Sequence, residues 1–99
     1  MNDLAIEYPI EFEWDKGNRG KNQKHRVTDE ECEEAYFDPN KVLARDPLHS
    51  DRELRHILIG KTQNGRLLFV AFTVRKKKLR VISARDLNRR ERFLYEKTA

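Results

Sequence analysis

The sequence predicts an α+β domain, an antiparallel sheet with two helices ahead of it and one behind. Two observations carry that prediction. Thr28-Asp29-Glu30-Glu31 and Asn88-Arg89-Arg90-Glu91 each place a polar N-cap residue three positions before a glutamate, the spacing of a capping box and so of a helix start. Between them three apolar runs follow one another across short turns, Arg55 to Lys61, Arg66 to Arg75 and Leu79 to Ala84, as strands of a meander do.

Residues 1–9 read as a flexible lead-in ending at Pro9. Ile10-Glu11-Phe12-Glu13-Trp14 alternates apolar and acidic side chains, the pattern of a half-buried strand. Asp15 can cap a short helix over the polar residues 16–25, although Gly17 and Gly20 weaken it. The helix opened by Thr28 runs to about Phe37, with Cys32, Ala35 and Tyr36 on its buried side and Val27 stapled against Cys32. Asp38-Pro39-Asn40 ends it, and Val42-Leu43-Ala44 has room for a short strand. Gln63-Asn64-Gly65 is a hairpin turn, read as type I′ because Asn-Gly tolerates positive φ. Leu67 to Phe72 is apolar at every position, which suits a central strand covered on both faces. Lys76-Lys77-Lys78 makes the next turn. The last helix runs from about Asn88 to Lys97, anchored by Leu87, Leu94 and Phe93.

With 99 residues, the chain is read as one domain, 1–99. Cys32 is the single cysteine, so no internal disulfide can form. The acidic N-terminal stretch has no signal-peptide pattern and no run is long enough to span a membrane, so a cytoplasmic location is expected. The net charge of +4 conceals an asymmetry. Residues 1–53 hold 8 Lys/Arg against 14 Asp/Glu (net −6), and residues 54–99 hold 13 against 3 (net +10). A basic half on a small domain favours a phosphate-bearing partner.

No metal-ligand spacing and no glycine-rich phosphate loop is present, and no cofactor is implied. The informative stretch is Arg80 to Tyr95. Arg80 and Arg85 come from the last strand, and Arg85, Arg89, Arg92 and Glu96 follow at helical spacing, with Glu91 and Tyr95 one turn apart. Cleavage of RNA needs little more. Its 2′-hydroxyl is an internal nucleophile, arginines can hold the pentacoordinate phosphorane, and two protons must move. Arg85 and Arg92 are the candidates for the scissile phosphate, with Arg55, Arg80 and Arg89 along the RNA backbone. Glu91, Tyr95 and His49 are the candidates for proton transfer. Glu91 also reads as the cap residue of its helix, Tyr95 as an aromatic at the core edge, and Glu30, Glu31, Glu33 and Glu34 as a solvated helix face. A basic sheet that binds RNA or a partner without cutting it remains the alternative function.

The chain resembles the BrnT family of type II toxins. The matching pieces are Phe12-Glu13-Trp14-Asp15, Lys21-Asn22-Gln23-Lys24-His25-Arg26-Val27, Glu31 to Asp38, His49-Ser50 with Arg55, Gly60, and Gly65-Arg66-Leu67-Leu68. Ile82-Ser83-Ala84-Arg85 with Glu91-Arg92 and Tyr95 completes them. The family usually places two residues between the Asn and the Lys-His pair, where this chain has only Gln23. The residues suggest metal-independent transesterification, and the resemblance implies a RelE-like fold and a ribonuclease that inhibits translation, with Lys24 and His25 near the RNA. It also implies neutralisation by a BrnA-type antitoxin with a ribbon-helix-helix domain, in a complex of two toxins and two antitoxins. Operator DNA would be contacted only through the antitoxin.

Overall fold

A computed structural model describes residues 9–46 and 53–98. Thr28 opens helix α1 (Asp29–Tyr36) with both capping-box bonds present: the Glu31 amide donates to the Thr28 hydroxyl, and the Thr28 amide to the Glu31 carboxylate. Strands β1 (Val42–Arg45), β2 (His56–Lys61), β3 (Leu67–Arg75) and β4 (Lys78–Asp86) then form an antiparallel sheet in chain order. Helix α2 (Arg89–Thr98) closes the described chain. No helix among the described residues is long and apolar enough to cross a membrane.

Both faces of the sheet are covered, as the unbroken apolar run of β3 requires. On one face Leu58, Leu68, Val70, Phe72, Leu79, Val81 and Ala84 pack with Val27, Cys32, Ala35 and Tyr36. Gly60 lets α1 lie this close, since a Cβ there would run into the Ala35 carbonyl. On the other face Ile59, Leu67 and Phe69 meet Leu87 and Tyr95. Phe93 and Leu94 do not anchor α2 as the sequence suggested. They are 67% and 43% exposed, and Tyr95 takes the buried position. Burial leaves the Cys32 thiol pushed up to about 12, with Asp29, Glu31 and Glu33 adding to the effect, so it stays a protonated core group.

Three local readings change. Two α-helices are present among the described residues instead of three, because residues 16–22 form turns, followed by one 3-10 turn (Gln23–His25). The Asn18 and Asn22 side chains account for this, since they bond the edge of β4 in place of supporting a helix. Asn18 Nδ2 donates to the Val81 carbonyl and Asn22 Oδ1 accepts the Ala84 amide. Residues 10–14 form a single bridge, Phe12 to Leu79, in place of a strand. Together these contacts cover an edge that would otherwise expose unpaired backbone groups. Finally, the Gly65 turn has positive φ at glycine alone, so it is not type I′. Two successive positive φ values occur instead at Lys76 and Lys77.

Substitution of Asn22 tests the edge. Asn22→Ala leaves the buried Ala84 amide without its acceptor, at a cost of about 1–3 kcal/mol. Urea denaturation should show a lower midpoint at unchanged slope, and an unchanged midpoint would remove Asn22 from this role.

Candidate active site

The end of β4 and the start of α2 build one corner of the molecule. A β-bulge decides which side chains reach it. Ala71 pairs with Ser83 but Phe72 pairs with Val81, so Ile82 is an extra residue in β4. Side chains alternate along a strand, so an unbroken β4 with Leu79 and Val81 in the core would also turn Arg85 inward. The bulge shifts the alternation by one. Arg85 therefore lies opposite Phe69 on the α2 face, with its guanidinium carbon 4.0 Å from the ring centroid.

Glu91 holds that guanidinium from above. Arg85 Nη1 and Nη2 donate to its two carboxylate oxygens at 2.8 and 2.9 Å, and Nη1 also donates to the Asp86 carbonyl. Glu91 is at the same time the capping-box residue of α2, accepting the Asn88 amide while its own amide donates to Asn88 Oδ1. The cap and the ion pair therefore coexist on one carboxylate. The Arg85 bond, aided by the Asn88 amide, overcomes desolvation and holds the Glu91 carboxyl below its usual range. It is ionised at neutral pH. Among the described residues, the Nε–H and one Nη2–H of Arg85 have no acceptor.

Asp86 points to the other side of the strand, where Arg66 grips it. Arg66 Nε and Nη2 donate to the Asp86 carboxylate at 2.7 and 3.2 Å. Nη2 also donates to the His25 carbonyl at 3.1 Å, and Nη1 to the Arg26 carbonyl and to Glu31. Every N–H of this guanidinium is engaged. Arg66 was not singled out from the sequence as a functional residue. Its signal there was its place in the Gly65-Arg66-Leu67-Leu68 segment. Arg66, followed by the charges of Arg92 and His25, holds the Asp86 carboxyl low. The corner thus joins Arg85 and Glu91, while the charges of Arg92 and His25 act on Asp86 across the strand and Arg89 is exposed on the first turn of α2.

Other candidates lie elsewhere. The Tyr95 hydroxyl is buried and donates to Asp38 at 2.6 Å. Burial and that bond push it up to about 12, so it keeps its proton and faces Asp38, not Arg85. Arg80 is occupied by Asp15, at 2.8 and 2.9 Å, and by Glu13 at 3.1 Å. It pins the N-terminal segment to β4. Arg55 precedes β2, at the opposite end of the sheet from Arg85, and its carbonyl accepts the Asp46 amide. His49 lies outside the described residues. His56 is buried against Phe72, with ring centroids 5.2 Å apart. The acidic face of α1 is less free than a solvated helix: Glu33 accepts from the Trp14 indole, Glu34 from the Gln63 amide and Glu31 from Arg66. Glu30, Glu33, Glu34 and Asp38 line a groove of about 530 Å³ beside Phe37. Its charge repels a phosphate chain.

Compared with known families, residues 14–91 match the family model described as ribonuclease toxin, BrnT, of type II toxin-antitoxin system. No curated protein matches the chain. The match covers more than three quarters of the sequence and includes Arg85 and Glu91 but not Arg92.

The Arg80 pin has a measurable pH signature. The Arg80 bonds, helped by the Gly17 amide, lower the Asp15 carboxyl from 3.8 to about 2. A carboxyl whose folded value is depressed contributes its full stability above the unfolded value and loses it as pH falls through the folded one. Asp15→Asn should therefore flatten the dependence of melting temperature on pH between 3.8 and about 2. A variant as acid-sensitive as the parent in that window would show that Asp15 does not carry it.

Proposed function

Because the chain belongs to the BrnT family of ribonuclease toxins of type II toxin-antitoxin systems, we propose that it cleaves RNA by metal-independent transesterification at the Arg85 corner. The observation that carries the proposal is Arg85 itself, stacked on Phe69 and held by Glu91 with two N–H groups to spare. A non-bridging phosphate oxygen takes those donors and competes with Glu91 for the rest, because arginine binds phosphate and carboxylate in the same forked geometry. Arg92 adds charge to the phosphorane, and Arg89 and Lys24 contact neighbouring phosphates.

The 2′-hydroxyl then attacks phosphorus. The O2′–P bond forms, the P–O5′ bond breaks, and the products carry a 2′,3′-cyclic phosphate and a 5′-hydroxyl. Glu91 is in the form that accepts the 2′ proton, and it becomes a better base as phosphate draws Arg85 away from it. Tyr95, committed to Asp38, is left out of the proton transfers. A histidine returns a proton to the 5′-oxygen; the sequence offered His49 for proton transfer without assigning it as acid or base.

Family membership implies an antitoxin partner. We take it to be a BrnA-type protein with a ribbon-helix-helix domain, in a complex of two toxins and two antitoxins. DNA is then reached through the antitoxin alone. On this reading residues 1–99 are one RelE-like domain acting in the cytoplasm.

Arg85→Ala should lower single-turnover RNA cleavage by about 10²-fold or more, the scale of removing a charge stabiliser from a transition state, and should abolish growth arrest on expression. Cleavage and arrest at parental levels would mean the site lies elsewhere. A gel shift without products from the parent protein would favour the non-catalytic module. Cleavage should also persist in excess EDTA, and its loss there would remove the metal-free mechanism.

A further inference from the structure

We propose that Phe93 is a stacking platform for a base of the RNA near the cleaved phosphodiester, a subsite that rests on the ribonuclease reading above. At 3.6 residues per turn, Glu91 and Tyr95 share one face of α2. That face is turned to the sheet and α1, where Glu91 holds Arg85 and the Tyr95 hydroxyl donates to Asp38. Phe93 stands midway between them, about half a turn from each, and so points away from the sheet. Its ring is 67% exposed, and among the described residues no other ring or cation packs on it. Tyr95 and Leu87 already seat this end of the chain on Ile59 and Leu67. Packing therefore gives no reason for an aromatic at position 93, since a bare ring forgoes the stabilisation that burial brings.

The surroundings of the ring select its ligand. Arg89 and Lys97 lie one turn before and one turn after it, and Arg90 lies three residues before it. All three are exposed, and no carboxylate among the described residues accepts a hydrogen bond from any of them. Of the two carboxylates in α2, Glu91 is engaged by Arg85, which leaves Glu96 against the four cations Arg89, Arg90, Arg92 and Lys97. The outer face of α2 thus joins a bare ring to cations in need of counter-ions. Single-stranded RNA satisfies both at once, because its phosphates neutralise the cations and every base offers a π face to the ring. An acidic protein segment would answer the cations alone. The path from the cut is short. Phe93 follows Glu91 by two residues, a rise of about 3 Å along the helix, and Arg92 lies between them around it. RNA held at Arg85 passes Arg92, sets neighbouring phosphates on Arg89 and Arg90, and lays a base on Phe93. The ring touches none of the reacting atoms, so Phe93 is a positioning residue.

The experiment measures binding of a short mixed-sequence oligoribonucleotide with every 2′-hydroxyl methylated, which removes the nucleophile and lets RNA bind without being cut. Phe93→Ala should weaken binding about 10-fold, the scale of one lost base–aromatic stack. The salt dependence should not change, because a ring releases no counterions. Phe93→Trp should bind as the parent does. Phe93→Leu keeps apolar area without a π face and should bind as poorly as Phe93→Ala. Arg89→Gln should instead reduce the slope of affinity against salt. In single-turnover cleavage of unmodified RNA, Phe93→Ala should raise the half-saturating protein concentration by the same factor and leave the maximal rate within about twofold of the parent. Parental affinity in Phe93→Leu overturns stacking, since apolar area alone would then suffice. Parental affinity in Phe93→Ala overturns the subsite, and loss of antitoxin binding in that same variant would make this face a protein surface. If the parent neither binds nor cuts RNA, the ribonuclease reading falls and the subsite with it, whereas a parent that cuts RNA beside an unaffected Phe93→Ala sinks the subsite alone.

Discussion

Arg66 stands just before β3 and spends its whole guanidinium on three parts of the chain, each at least twenty positions away. It bonds the carbonyls of His25 and Arg26, the cap glutamate of α1 and the carboxylate that ends β4. Arginine suits this work because its five donors are planar and stay charged, whereas lysine would offer a single point charge. The bond to the Arg26 carbonyl also supports a non-glycine residue at φ 58°, a conformation that costs free energy unless its surroundings hold it. Without this junction the basic 3-10 turn, the cap of α1 and the end of β4 would have no common anchor, and the corner would have no fixed shape.

The corner then depends on a second device, the extra residue Ile82. Packing demands Leu79 and Val81 in the core. Chemistry demands Arg85 outside it. With period-two alternation both cannot hold, and the bulge reconciles them. Once outside, Arg85 gains the ring of Phe69 and the carboxylate of Glu91. The carboxylate that caps α2 is therefore the counter-ion of the arginine, and helix start and site are tied together.

Local chemistry made most of the elements legible beforehand. Both capping boxes form as their spacing indicated, because they need only residues three apart. The strands lie close to their apolar runs, and β3 is buried on both sides as its composition required. Three of the failures share a cause. Residues 16–25 were read as a weak helix, but Asn18 and Asn22 find better acceptors and donors on β4, more than sixty positions away. Arg80 looked like an RNA contact, but Glu13 and Asp15 take it. Tyr95 shares a helical stripe with Glu91, yet Asp38 claims its hydroxyl. In each case a long-range polar partner outweighed the local signal.

By itself the sequence determined the α+β class, the two capped helices, the meander, the basic C-terminal half and the kinship with the BrnT family. These follow from neighbours along the chain and from patterns of residue type. Only the tertiary structure decided that Arg66 is the junction, that the bulge turns Arg85 toward α2, and that Glu91 pairs with Arg85 while Tyr95 and Arg80 bond elsewhere. The reason is physical. A charged side chain goes to the partner that best compensates its desolvation, and among 21 cations and 17 carboxylates the choice of partner is set by where the folded backbone puts them.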